Sequence, residues 1–392
     1  MVEATLETGN LRFHVHHADR LSTGLDRLAT TEIALVLLDL TLADSVGRDT
    51  FDHIRKAAPG VPIIVLSGLE DETLAVETVR LGAQDYLVKG QFDTHSLVRA
   101  VRYGIERNAL EGQLAAYAEE LRLKNASMEA ELKMARELQR AYLPPQLRRF
   151  PRAGTADSEI ELSYRYQPAS KIGGDFFNIL EVSDTEVGVF ICDVMGHGVR
   201  AALVSGILRG LVEELKSEAG DAGGFLGEVN RGLLASLSQV EDKIFATGFY
   251  LVADLERHEL RFANAGHPSP LCLNRATGTV TPARPLSRQR GPALGLFGEA
   301  QYEVHSKPLA PEDLVVLFTD GLYEVEGNNR LPYSRESLPA ALERRTRLRP
   351  ADLFDDLLAE IQQFSASHEF DDDVCLVGLE VKAAPGGKSS RK

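Results

Sequence analysis

Cysteine is scarce in this 392-residue chain. Cys192, Cys272 and Cys375 are too few and too scattered for a disulfide framework or a zinc site, which points to a reducing compartment, the cytoplasm. Long hydrophobic runs are missing as well. Ile33–Leu38 and Val61–Leu66 stop well short of the roughly 20 apolar residues that cross a bilayer. The opening MVEATLETGN has neither the basic segment nor the apolar stretch of a signal peptide, so none is expected. Positive charge is in deficit: 43 Lys and Arg face 58 Asp and Glu, a net charge of −15. Such a surface repels DNA and anionic lipid, so neither nucleic acid nor membrane is an expected partner. No internal repeat occurs. What remains, 44% hydrophobic and 26% charged residues, is ordinary for a soluble globular protein, and the length suits two or three domains.

Three textures divide the chain. Between about Ala34 and Val88, short apolar runs (ALVLLDL, PIIVLSG, QDYLVKG) alternate with helical patterns (DTFDHIRKAA, ETLAVETVRLG). That alternation predicts βαβ units and a parallel sheet. Ligands of such sheets sit beyond the carboxyl ends of the strands, so Asp39, Ser67 and Lys89 should meet at one edge.

From about Thr94 to Tyr142 there is no proline and almost no glycine. Leu110, Leu114, Tyr117, Leu121, Met128, Leu132, Ala135 and Tyr142 recur three, four or seven residues apart, interrupted at Lys124 and Asn125. The pattern predicts one long helix with an apolar seam, either self-paired as a parallel dimer or packed on the following domain; self-pairing is the expectation. Leu143-Pro144-Pro145 ends it.

From about Ser158 to Lys382, candidate strands IELSYRYQ, EVGVFICDV, ATGFYLVADL, ELRFANAG, DLVVLFTDG and DVCLVGLEV accompany helical patterns at Ala201–Lys216, Gly223–Leu237 and Pro350–Phe364. Many strands with helices grouped apart suggest a layered α+β fold. Four aspartates are delivered into turns by an apolar strand or a glycine pair: Asp175 in KIGGDFFN, Asp193 in VFICDVMGHG, Asp320 in VVLFTDGLYE and Asp372 in FDDDVCLVGL. Any one of them could be a plain turn residue. Together, with Gly173–Gly174, Gly196 and Gly321 allowing close backbone approach, they predict carboxylates converging on a divalent cation, and oxygen-only donors favour Mg²⁺ or Mn²⁺ over Zn²⁺.

The ordered run ARELQRAYLPP, GGDFFN, CDVMGHGVRAAL, FATGFY, NAGHPSPL, GPALGL, LFTDGLYE and DDDVCLV, spanning about Ala135 to Glu380, resembles the SpoIIE/RsbU-type branch of the PPM (PP2C-like) serine/threonine phosphatases. The resemblance implies a central β-sandwich with helices on both sides and two Mn²⁺ or Mg²⁺ ions. It also implies that Asp193 and the carbonyl of Val194 bridge both ions, Asp175 serves one, and Asp320 and Asp372 serve the other. Catalysis would run through Asp193 and Asp320 by way of a metal-activated water, with no protein nucleophile. Asp371 and Asp373 are not expected ligands, and His197 and His267 are read as structural. The first stretch, about Met1 to Arg107, resembles a response-regulator receiver: Asp39 matches the phosphoacceptor, Ser67 and Tyr86 the switch residues, and Lys89 the lysine of that family. MVEATLETG reads like the receiver's first helix. The first strand, with the acidic pair that holds Mg²⁺, is therefore expected to be missing, and receiver Mg²⁺ is expected only if that pair is restored.

The expected architecture is a multidomain α/β chain: a receiver-like domain at 1–107 lacking its first strand, a coiled-coil-like dimerisation helix at 108–145, an α/β/β/α PPM sandwich at 146–382 and a flexible tail at 383–392. The expected function is a receiver-regulated phosphoserine/phosphothreonine phosphatase. By resemblance, its partners are a phosphorylated STAS-type anti-sigma-factor antagonist, a sensor histidine kinase and a second copy of the chain. A non-enzymatic adaptor that holds a sigma factor or its regulator is the rival, and a small-molecule phosphatase is a third reading; the intact aspartates argue against the adaptor.

Overall fold

A computed structural model of the chain describes residues 13–68, 72–144, 148–151, 158–169, 171–283, 291–328 and 331–383. Two units, Met1–Met128 and Glu129–Lys392, meet inside one continuous helix, Thr94–Ala141.

The first unit carries a parallel sheet of β1 (Val36–Asp39), β4 (Ile63–Ser67) and β5 (Asp85–Val88) in the order β1-β4-β5. A small hairpin, β2 (Thr41–Leu42) and β3 (Ser45–Val46), follows β1. Every residue of the central strand β4 is buried, as a parallel strand covered on both faces must be. Its side chains alternate accordingly. Ile63 and Val65 join Leu38, Phe51 and Ala75 on one face, and Ile64 joins Leu97 and Val101 of the long helix on the other. The expected absence of a first strand concerns residues 1–12, which lie outside the described residues, as does the expected tail from 384 onward.

The 48-residue helix changes character along its length. Leu97, Val101 and Gly104 are buried in the first unit. Leu110, Leu114, Tyr117, Leu121 and Met128 then stand exposed, Leu114 at 72% and Tyr117 at 69%. From Leu132 the same face is half-buried, with Ala135 and Gln139 against the second unit. The seam is thus divided between the two arrangements open to it: its last turns pack on their own chain and its middle is uncovered. The helix stops at Ala141, two residues short of Leu143, whose place before Pro144 disfavours helical backbone.

The second unit is an antiparallel sandwich. One sheet has the order β14-β11-β10-β9-β8, the other β13-β12-β15-β16-β7-β6. The strands are β6 (Arg148–Phe150), β7 (Ser158–Gln167), β8 (Phe176–Glu181), β9 (Glu186–Val194), β10 (Ala246–Asp254), β11 (Glu259–Ala265), β12 (Leu271–Asn274), β13 (Thr279–Pro282), β14 (His305–Pro308), β15 (Asp313–Phe318) and β16 (Val374–Ala383). Strand β9 shows why four layers form. Val187, Val189 and Ile191 point into the core between the sheets, while Phe190, Cys192 and Val194 face helices Val199–Glu214 and Ala222–Ser236. In β16, Cys375, Val377 and Leu379 enter the same core, and Val374 and Leu376 pack under helices Ser337–Glu343 and Pro350–Phe364. Strands apolar on both faces need a cover on each side, and the result is an α/β/β/α stack.

The sequence reading missed β8, hidden inside the GGDFFN motif, together with the short strands β6, β12, β13 and β14 and the short helix Ser337–Glu343.

Phe177 sits in the inter-sheet core with no exposed surface, its ring 4.8 Å from that of Tyr164. Phe177→Ala is expected to destabilise the sandwich by about 3–5 kcal/mol, measured as a lowered urea midpoint for this unit.

Candidate active site and metal centre

At one end of the sandwich, each sheet contributes two aspartates. Strands β8 and β9 pair Phe176 with Cys192, so Asp175, one residue before Phe176, lies beside Asp193, one residue after Cys192. Strands β15 and β16 pair Phe318 with Leu376, which brings Asp320, just past β15, toward Asp372, just before β16. The ends of these two strand pairs therefore bring the four carboxylates to one end of the sandwich, where Asp193 feels the charge of Asp320 and Asp372. Backbone at the site is close-packed as well. A Cβ on Gly174 would come 3.1 Å from the carbonyl oxygen of Val194, and one on Gly173 would come 2.5 Å from an Asp373 carboxylate oxygen. Gly196 differs from the expectation: a Cβ there would meet nothing within 4 Å, and its φ of +86° is what calls for glycine.

The electrostatics are those of crowded negative charge. Asp175 is buried, and burial, reinforced by Asp193, raises its pKa far above the usual carboxylate value. Asp193 is pushed up to about 7, by burial first and then by Asp320, Asp372 and Asp373. Burial and Asp372 also raise Asp320. A fifth carboxylate, Glu324, is raised by burial, Asp320 and Asp372. Among the described residues, no three His, Cys, Asp or Glu side chains close into a cage around an ion. The donor set nonetheless fits a hard divalent cation: it is all oxygen, and the dominant perturbations come from burial and like charges rather than from a neighbouring Lys or Arg.

Several residues that the sequence reading did not single out for this site hold it in place. The Thr319 hydroxyl donates to Asp175 Oδ2 at 2.6 Å and accepts from the Cys375 amide at 2.9 Å, tying a ligand candidate of one sheet to the backbone of the other. Asp373 accepts from the amides of Ala169 at 2.8 Å and Gly174 at 2.6 Å, whereas Asp372 stays half-exposed beside it and Asp371 is exposed. Only the threonine before Asp320 and the tandem aspartates hinted at these contacts. His197 is exposed in the loop after β9. His267 is buried, its Nδ1 2.8 Å from the Thr247 hydroxyl, and Thr247 is the register partner of Asp193.

In the first unit, the Lys89 ammonium ion-pairs with Asp39, whose Oδ1 accepts from the Thr41 amide at 3.0 Å. Ser67 ends the neighbouring strand, with its hydroxyl buried and without a hydrogen-bond partner among the described residues. Tyr86 packs half-buried against the adjacent core.

The model of stage II sporulation protein E matches residues 183–382, half of the chain, and includes Asp193, Asp320 and Asp372. The chain belongs to the SpoIIE family. A response-regulator receiver model matches residues 1–102, so a receiver is fused to the SpoIIE domain. Among curated proteins, the chain is 24% identical to phosphoserine phosphatase RsbP of Bacillus subtilis over 253 residues, 64% of this chain and 58% of RsbP. It is 23% identical to phosphoserine phosphatase RsbU of the same organism over 216 residues, 55% of this chain and 60% of RsbU. It therefore spans about three-fifths of each of these relatives. The solved SiaA PP2C domain of Pseudomonas aeruginosa shares the fold, with a TM-score of 0.55, 21% identity and coverage of 66% of this chain and 98% of that domain.

The raised carboxylates set a pH signature. Asp193 titrates near pH 7 in the folded chain against about 3.8 unfolded, so between those values the unfolded state releases a proton that the folded state keeps. Asp175, raised in the same direction, adds to the effect. Chelator-treated protein is therefore expected to lose stability as pH rises from about 4 to 7, by a few kcal/mol. Asp193→Asn should flatten the slope, as read from urea midpoints at pH 5 and 7.5.

Proposed function

We infer that this chain is a metal-dependent protein serine/threonine phosphatase under the control of its receiver. The observation that carries the reading is the meeting of Asp175 and Asp193 from one sheet with Asp320 and Asp372 from the other, in a SpoIIE domain. Asp193 and the Val194 carbonyl would hold both of two Mn²⁺ or Mg²⁺ ions, Asp175 one, and Asp320 and Asp372 the other. Asp373 already accepts two backbone hydrogen bonds, which favours Asp372 for that role. When bound, such a pair of cations acidifies an attacking water and neutralises the oxygens of a phosphate monoester. The protein supplies the alignment: Thr319 orients Asp175, and one strand pair from each sheet carries two of the carboxylates.

The substrate proposed is a phosphoserine or phosphothreonine on a STAS-type anti-sigma-factor antagonist, in keeping with the phosphoserine phosphatases RsbP and RsbU among its relatives. Asp39 is proposed as the site phosphorylated by a sensor histidine kinase, with Lys89 beside it and Ser67, buried at the end of the neighbouring strand, as the residue that responds. The exposed middle of the long helix is proposed to pair with a second copy. The intact carboxylate set speaks against the purely adaptor reading.

Against a phosphorylated antagonist protein, the chain should release phosphate in Mn²⁺. Asp193→Ala or excess chelator should lower turnover about 100-fold or more while the circular dichroism spectrum is kept. Substantial activity in either condition would overturn the two-cation reading.

Leu114→Asp combined with Leu121→Asp should turn a dimer into a monomer by light scattering, since unpaired charge in an apolar seam costs a few kcal/mol per group. An unmodified chain that is monomeric at micromolar concentration would rule out pairing through this helix.

A further inference from the structure

Near its end, the long helix reaches the glycine pair before Asp175 with the side chain of Gln139. The Gln139 carboxamide donates from Nε2 to the Gly173 carbonyl at 2.7 Å, and its Oε1 accepts from the Gly173 amide at 3.1 Å. Both backbone polar groups of Gly173 are thereby satisfied by a residue 34 positions away. The next amide, that of Gly174, is bound by Asp373 at 2.6 Å. Asp175 follows directly, so its backbone position is set from two sides: by the helix through Gln139 and by the segment before β16 through Asp373. Gly173 leaves no room for a side chain, because a methyl group there would come 2.5 Å from both Asp373 and the Tyr166 hydroxyl.

Other contacts fasten the helix to the same unit, one of them at Lys171 at the start of this loop. Lys171 pairs with Glu129 at 2.9 Å, the Arg209 guanidinium lies 4.4 Å over the Tyr142 ring, and the Tyr164 hydroxyl donates to the Pro144 carbonyl at 2.8 Å. None of these grips the two glycines before Asp175.

We propose that Gln139 is a positioning residue that holds Gly173 and so places Asp175, making the last turns of the long helix and the carboxylate cluster one mechanical unit. A displacement of the helix end breaks two hydrogen bonds on the loop. By linkage, a cation that fixes Asp175 must in turn steady the helix end. The cation part of this proposal rests on the phosphatase reading; the clamp on Gly173 does not.

The test uses the full chain with Gln139→Met, which keeps side-chain length and helix propensity and removes both hydrogen bonds. Tyr142→Leu serves as the comparison, removing a helix anchor but leaving the clamp. Hydrogen exchange without metal should show the amides of residues 171–175 exchanging at least about 10-fold faster in Gln139→Met than in wild type or Tyr142→Leu. Titration with Mn²⁺ alone, followed by the electron spin resonance of the free ion, should give a dissociation constant raised about 10-fold or more in Gln139→Met. Mn²⁺ should also slow exchange in residues 136–142 of the wild type but not of that variant. Unchanged exchange at 171–175, or faster exchange with unchanged Mn²⁺ affinity, overturns the proposal. An equal weakening in Tyr142→Leu also overturns it, because the coupling would then not run through Gln139. If the wild type takes up no Mn²⁺, the two-cation reading fails, and exchange at 171–175 alone decides the clamp.

Discussion

Four carboxylates brought to one end of a sandwich repel one another, and much of the second unit is arranged to hold them there. Burial and like charge raise Asp175, Asp193 and Asp320 together, and each carboxylate is carried at the end of a paired strand. A site of this kind is costly for the bare protein and favourable once a cation of opposite charge is present. The fold meets the cost with rigidity. The sandwich core and the two helical covers fix the strands, and the hydroxyl of Thr319 links the sheets across the site.

That rigidity rests on neighbours of the carboxylates as much as on the carboxylates themselves. Of three consecutive aspartates, Asp373 is committed to the backbone of the glycine loop, Asp371 lies exposed, and Asp372 is the one left facing Asp320. Gln139 acts on the same loop from the helix. The loop before β8 is therefore where the helix that leaves the receiver unit and the carboxylate cluster come into contact, although 34 residues separate Gln139 from Gly173.

The long helix serves two environments because its seam changes partner along its length. Its start is buried in the receiver sheet, its end is docked on the sandwich, and the apolar residues between them are exposed. This exposed row of Leu, Tyr and Met is the surface proposed above for pairing with a second copy.

Much was determined by the sequence alone. Short apolar runs mark β9, β10, β15 and β16 as strands, and a strand or glycine pair leading into aspartate marks Asp175, Asp193, Asp320 and Asp372. These signals are local, a few residues of pattern each. The short strands β6, β12, β13 and β14 and strand β8 left no comparable pattern, because three to six residues, some of them within a motif, show little periodicity. Only the tertiary structure decided which tandem aspartate binds backbone, that Thr319 holds Asp175, that Gly196 is needed for its φ rather than for close approach, and where the helical seam turns from exposed to docked. Each depends on groups 34 to 204 residues apart meeting at hydrogen-bond distance, or on a backbone angle, and neither leaves a trace in the spacing of residue types.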